Sequence, residues 1–288
     1  MSDATQTSDR PARRRPPVPK TATVTATSVI PGGMVRLTLT PSVSVADMGL
    51  EYTDHYVKLL FPPEGASYSW PFDPAQVREE LPREEWPVTR TYTLRSWDAG
   101  AQTVDIDFVS HGDSGLAGPW ADAARPGDGI GFMGPGGAWH PEGEHVVFAG
   151  DEAAAPAIFA GIEALPQDVT AEAWVEVSDA DAHLPAPSHP GTTIHWVERD
   201  GATHGTELVR AVVAAGVPSG ETRWFIHGVA EMIRDLRRHL FVDSGVPKSD
   251  VSISGYWRLG MVEDEWQASK REFTEEIEAD EAQAAANR

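Results

Sequence analysis

The character of this chain changes once, across Gly134–Gly143, and that change bounds what it can fold into. Before it, short segments alternate apolar and polar residues. After it, apolar strands take turns with helical runs. The first pattern builds antiparallel sheets with one wet face; the second builds a parallel sheet covered by helices.

Met34–Thr40 is the clearest segment of the first kind. Val35, Leu37 and Leu39 alternate there with Arg36, Thr38 and Thr40. Thr103–Val109 repeats the period with Val104, Ile106 and Phe108. Thr21–Ile30, His55–Phe61, Thr91–Ser96 and Gly129–Met133 complete a set of six, with turns such as Pro31-Gly32-Gly33. Six short strands of this kind predict an antiparallel six-stranded barrel. The segment Pro62–Val88 is rich in proline and carries Tyr68, Trp70, Phe72 and Trp86. A connection of that length reads as a covering loop beside a site. Pro119 suits the first position of a short helix.

Beyond the boundary, strands are predicted at His145–Ala149, Thr170–Val177, Thr193–Val197, Trp224–His227 and Val251–Tyr256. Helices fall between them at Ala153–Leu165, Gly205–Ala215 and Glu231–Phe241. This is a doubly wound parallel sheet of nucleotide-binding type, whose ligands sit at the carboxyl ends of the strands. From Met261 to Arg288 a helix carries Val262, Trp266, Phe273 and Ile277 on one stripe and its acidic residues off it. The expected units are a tail over 1–20, a barrel over 21–140, an α/β domain over 141–260 and an acidic helix over 261–288.

Composition narrows the chemistry. There is no cysteine, so disulfides, iron–sulfur clusters and thiolate catalysis are excluded. The ten histidines show no metal-ligand spacing, so no metal site is expected and any redox chemistry needs a borrowed cofactor. A formal net charge of −21 argues against nucleic acid and against an acidic protein partner. No run of about 18 apolar residues exists to span a membrane. Arg10, Arg13, Arg14 and Arg15 lie among Pro, Ser and Thr with no apolar segment behind them. That reads as a disordered tail rather than a secretory signal, and the protein is expected in the cytoplasm.

Within so acidic a chain, Arg90-Thr91-Tyr92-Thr93-Leu94-Arg95 stands out. A cation, a ring and a hydroxyl on one extended segment suit a flavin's pyrophosphate, ring and reactive edge. Taken alone, an exposed edge strand with scattered arginines explains it equally well.

Other segments add to it. They are His111-Gly112-Asp113 with Gly115, Ala117, Trp120 and Ala121; Pro126-Gly127-Asp128; Gly134-Pro135 with Gly137; Gly150-Asp151-Glu152 with Ala154, Pro156 and Ala157; and Gly255-Tyr256-Trp257-Arg258 with Gly260. In this order and spacing, from about Thr21 to Trp266, the chain resembles the siderophore-interacting proteins. These are flavin-dependent ferric-siderophore reductases with the layout of ferredoxin reductases. The resemblance implies bound FAD. Arg90 would pair with the pyrophosphate, Tyr92 stack on the isoalloxazine and Thr93 bond near its reactive nitrogen. The backbone around Asp107, Val109 and His111 would hold the ribose side, and Gly115, Ala117 and Gly118 would turn amides to the phosphates. Asp151, Ala153 and Trp257 complete the implied cofactor set. Gly118 and Ala153 stand where the family carries hydroxyl residues, and Leu94 where it carries proline. Lys58, Arg95 and Arg258 are the candidate cations for an anionic ferric siderophore. NADH or NADPH would supply electrons, with Glu176, Ser178, Asp179 and Asp181 favouring NADH by suiting a free ribose hydroxyl. Ferredoxin is a possible alternative donor. Two further readings stay open: a general flavin or ferredoxin-type reductase, and a siderophore-binding protein without turnover.

Overall fold

The computed structural model describes residues 19–110 and 115–286. Expectations for the tail up to residue 18, for His111, Gly112 and Asp113, and for Arg288 lie outside the described residues.

The first unit is an antiparallel sheet rolled on itself. Its strands are β1 (Lys20–Ile30), β2 (Met34–Pro41), β3 (Tyr56–Phe61), β4 (Val88–Thr93), β5 (Ser96–Asp98), β6 (Thr103–Val109) and β7 (Gly129–Gly136). They are ordered β4-β3-β7-β1-β2-β6-β5. The strand predicted at Thr91–Ser96 is therefore two strands. Leu94 N–H still donates to His55 O, on the β3 side, whereas Arg95 N–H donates to Asp105 O, on the β6 side. The chain changes partner between two adjacent residues, and that corner closes the roll. Leu94 is fully buried at the bend with Leu37, Leu39, Leu59, Ile106 and Phe108. Inward positions alternate as the pleat requires: Val57 and Leu59 are buried, while Tyr56 and Lys58 point outward.

The long connection contains α1 (Pro74–Glu80) and lies over β7 as a cover, most of it at the surface. A Cβ on Gly129 or Gly131 would stand under 3 Å from the Trp70 ring, so these glycines of β7 let the indole lie flat on the strand. Helix α2 (Ala117–Ala123) begins two residues before Pro119.

The second unit holds β8 (His145–Gly150), β9 (Thr170–Val177), β10 (Thr192–Glu198), β11 (Thr222–Val229) and β12 (Val251–Trp257). All pair in parallel, in the order β10-β9-β8-β11-β12. Both faces are covered. Val146 and Phe148 of β8 pack with α3 (Ala155–Glu163), and Val147 and Ala149 pack with α4 (Thr206–Ala215) and α5 (Ala230–Arg237). The order reverses between β8 and β11, which makes their carboxyl ends the switch point.

Several contacts join the units. Met34 of β2 is buried in the α3 cluster. Arg95, directly after the barrel corner, reaches Glu163 of α3 with two hydrogen bonds of 2.8 and 2.7 Å and lies over the Phe159 ring. The last helix, α6 (Glu263–Ala286), straps both units. Its Trp266, Phe273 and Ile277 pack with Ala230, and Glu281 takes Arg237 and Lys248. Val262 precedes the helix and is 58% exposed, so it leaves the predicted stripe. No helix among the described residues is long and apolar enough to cross a membrane.

The Arg95–Glu163 pair is asymmetric: the arginine side chain is 7% exposed and the glutamate 46%. Deleting Glu163 strands a buried guanidinium, whereas deleting Arg95 frees a carboxylate to water. Glu163→Ala should therefore lower unfolding stability by about 2–4 kcal/mol. Arg95→Met, which keeps the packing, should lower it by about 1 kcal/mol, and denaturant melts compare the two.

Candidate functional site

Strand β4 pairs with β3 alone, leaving its second edge without a strand neighbour among the described residues. Such an edge displays unpaired amides. Here the edge is taken by carboxylates from the start of α6. Thr91 N–H and Oγ1–H donate to Glu263 at 3.0 and 2.8 Å. Arg90 Nη1 donates to Asp264 Oδ2 at 2.9 Å and to Thr89 O at 2.8 Å. Burial pushes the Glu263 carboxyl above its usual range, against the pull of the Thr91 bonds and the Arg90 charge.

Backbone amide, hydroxyl and guanidinium are the donors that phosphate oxygens need. The chain's own carboxylates take these donors, a set that phosphate oxygens can also use. The ring of Tyr92 lies against Phe108, centroids 4.3 Å apart, which fixes its plane, and burial pushes its hydroxyl pKa upward. Thr93 is buried beyond it. Arg90, Tyr92 and Thr93 all lie on β4.

The other predicted cofactor residues divide between two places. Val109 ends β6, and a Cβ on Gly118 would meet its carbonyl at 3.4 Å, so the start of α2 rests against that strand end. Gly115 has φ +80° with open space around it. Ala117 faces the barrel core. The Asp107 carboxylate is held by Arg36 through bonds of 2.6 and 2.8 Å, which leaves only its backbone for a ligand.

Asp151, Ala153 and Trp257 lie instead at the switch point of the parallel sheet. Asp151 is wholly buried. Its Oδ2 accepts from Val229 N–H and Trp257 Nε1, both at 2.8 Å, and its Oδ1 accepts from Ala153 N–H at 3.0 Å. It ties together the ends of β8, β11 and β12. Gly228 permits this, since a Cβ there would lie 2.7 Å from the carboxylate. Burial, with Glu152 adding repulsion, pushes the Asp151 pKa up to about 7.

The carboxylates placed after the second parallel strand need correction. Glu176 is wholly buried, accepts from Gly205 N–H at 2.9 Å and Leu208 N–H at 3.4 Å, and meets Arg199. It caps α4 and faces no ligand. Asp179 caps a short turn through Asp181 N–H. Arg199 is also held by Glu152 at 2.7 Å.

Of the three candidate substrate cations, the structure leaves one where a ligand could meet it. Arg95 is committed to Glu163. Arg258 turns to the junction of α5 and α6, 3.6 Å from Glu231 and over the Phe273 ring. Lys58 remains outward on β3, directly across from Thr91. Helix α6 lies over that face and brings Lys270 to it. Burial and the nearby Lys58 charge hold the Lys270 pKa below its usual value. The Lys270 charge also acts on His227 at the end of β11, whose pKa is pushed down to about 3 chiefly by burial. His227 lies 4.9 Å from the Tyr256 ring, and Tyr256 in turn is influenced by Asp54 and Tyr56. His227 is buried, so of these groups Lys58 and Lys270 are the two cations on the side that α6 covers. Sequence reasoning does not single out Lys270. Its signal is a lysine on the apolar stripe, four residues after Trp266 and three before Phe273.

Asp151 gives a test by pH. The folded carboxyl keeps its proton to higher pH than an unfolded aspartate, whose pKa is about 3.9. The folded state then binds more protons between that value and about 7, so stability falls as pH rises through this window. Asp151→Asn should flatten that fall while lowering stability at every pH, because its amide NH2 meets N–H donors that a carboxylate oxygen accepts from, and melting temperatures between pH 4.5 and 8 check both.

Comparison with known proteins agrees with this layout. A model of the siderophore-interacting FAD-binding domain matches residues 23–139, and one of the siderophore-interacting protein matches residues 143–260. An uncharacterised protein of Mycobacterium tuberculosis is 35% identical over 267 residues, covering 88% of this chain and 94% of that one. The ferric vibriobactin reductase of Vibrio cholerae is 31% identical over 205 residues, covering 67% and 73%. The crystal structure of a siderophore utilization protein from T. fusca aligns with a TM-score of 0.72 at 31% identity, covering 85% and 94%.

Proposed function

The chain belongs to the siderophore-interacting protein family, and we propose that it reduces iron(III) held in an anionic siderophore, with FAD as its cofactor and a reduced nicotinamide as donor. The observation that carries this is the donor set of Arg90 and Thr91 on the second edge of β4, within the stretch that matches the siderophore-interacting FAD-binding domain. In a chain of net charge −21, and among the described residues, Lys58 and Lys270 lie outside ion-pair distance of any carboxylate, which leaves them to meet an anionic chelate.

FAD, when bound, converts a two-electron hydride donor into single electrons for iron. The protein's own part is positioning. Arg90, Thr91, Tyr92 and Thr93 would hold the cofactor along β4. Lys58 on the neighbouring strand, with Lys270 above it, would draw the chelate to the same end of the barrel. No side chain need move a proton on carbon, because the released metal is the product: iron(II), softer and less charged, gains less from hard oxygen ligands and leaves the chelate more readily. One hydride carries electrons for two iron(III) centres.

NADH suits the α/β domain better than NADPH. The cation at the end of β10, Arg199, is already held by Glu152 and Glu176 and is not available to a 2′-phosphate. Ferredoxins are acidic, and docking one on this chain meets like charge.

The reading is tested by the visible spectrum of the purified protein and by anaerobic mixing with NADH and a ferric siderophore while iron(II) is trapped. Flavin bands and iron(II) above background are expected. A colourless protein that takes up no FAD overturns the cofactor, and flavin without iron(II) from any donor overturns the substrate. Changing Lys58 and Lys270 together to Ala should raise KM for anionic chelates about tenfold and leave flavin content unchanged. NADH should give the higher kcat/KM of the two nicotinamides.

A further inference from the structure

The start of α6 occupies the place that β4 offers to the flavin pyrophosphate. Three donors meet there: the Thr91 amide, the Thr91 hydroxyl and the Arg90 guanidinium. All are engaged by Glu263 and Asp264, two adjacent carboxylates at the first turn of α6. We propose that Glu263 and Asp264 form a carboxylate latch on the open edge of β4 that must release before a dinucleotide pyrophosphate can bind, so that the C-terminal helix sets the affinity of the protein for its flavin. The proposal rests on the reading of β4 as the flavin seat.

The competition is direct. One set of donors cannot satisfy both carboxylate and phosphate oxygens, and the two anions repel each other if both stay. The latch is also poised to open. Glu263 is half-buried, so its charge is partly desolvated and only the Thr91 bonds and Arg90 oppose that penalty. Asp264 is half-exposed in its pair with Arg90. The anchors of α6 lie further along, at Trp266, Phe273, Ile277 and Glu281. Release therefore requires only the first turn to fray, which is where helices open most readily, while the rest stays docked.

The test is FAD titration of flavin-free full-length protein, followed by quenching of flavin fluorescence. Glu263→Gln with Asp264→Asn should bind FAD about threefold to tenfold tighter than the unchanged protein, the size expected when two partly exposed charge contacts no longer compete. Glu263→Ala with Asp264→Ala should do the same. The control pair Glu265→Gln with Glu272→Gln removes equal charge from exposed positions of the same helix and should leave the affinity unchanged. In thermal melts the latch variants should lose stability relative to the unchanged protein when flavin-free, and match it when saturated with FAD. Equal or weaker FAD binding by the latch variants overturns the latch and leaves the flavin reading standing. A matching gain in the control pair also overturns it, since bulk charge would then be the cause. Absence of FAD binding in every protein overturns both.

Discussion

The change of partner between Leu94 and Arg95 is the constraint on which the rest depends. Two backbone bonds in opposite directions, Leu94 to His55 and Arg95 to Asp105, turn one strand into two and close the barrel. The closure has consequences on both sides. Upstream, β4 is held by β3 alone, and its second edge meets the carboxylates at the start of α6. Downstream, the first side chain past the corner is Arg95, which leaves the barrel for Glu163 and sets the parallel sheet against it. The β4 edge and the domain junction are thus fixed within a few residues of each other.

Charge placement follows a related logic. The chain is acidic overall, yet its buried carboxylates are structural bolts. Asp151 joins three strand ends, Glu176 caps α4, and Glu281 gathers Arg237 and Lys248. Each is surrounded by donors, which is what makes burial of the group tolerable. The cations divide in the same way. Arg36, Arg95, Arg199 and Arg237 are paired and structural, whereas Lys58 and Lys270 are brought near each other.

Much of this was legible in the residues. Period-2 alternation marks β2 and β6 because each has one wet face, and the strand–helix alternation after Gly143 marks the parallel sheet. The grouping of Arg90, Tyr92 and Thr93 follows from their sharing one short strand. Long-range partners were not legible. Leu94 and Arg95 continue a β-prone run, and nothing local says that the hydrogen bonds turn from one neighbour to another. Glu176 stands at a strand end where a ribose carboxylate and a helix cap look alike; only the position of Gly205 in space decides. Lys270 is hidden in an apolar stripe, and its role depends on which face of the barrel α6 crosses. The contact of Glu263 and Asp264 with β4 spans more than 170 residues, a distance over which sequence pattern carries no signal.

The central claim is that β4 seats the cofactor along its open edge, in exchange with the start of α6. Amide hydrogen exchange with and without FAD tests it most directly. The account predicts slower exchange across 88–95 on adding FAD, together with faster exchange in the first turn of α6. Protection confined to the parallel sheet, with β4 and α6 unchanged, would contradict it.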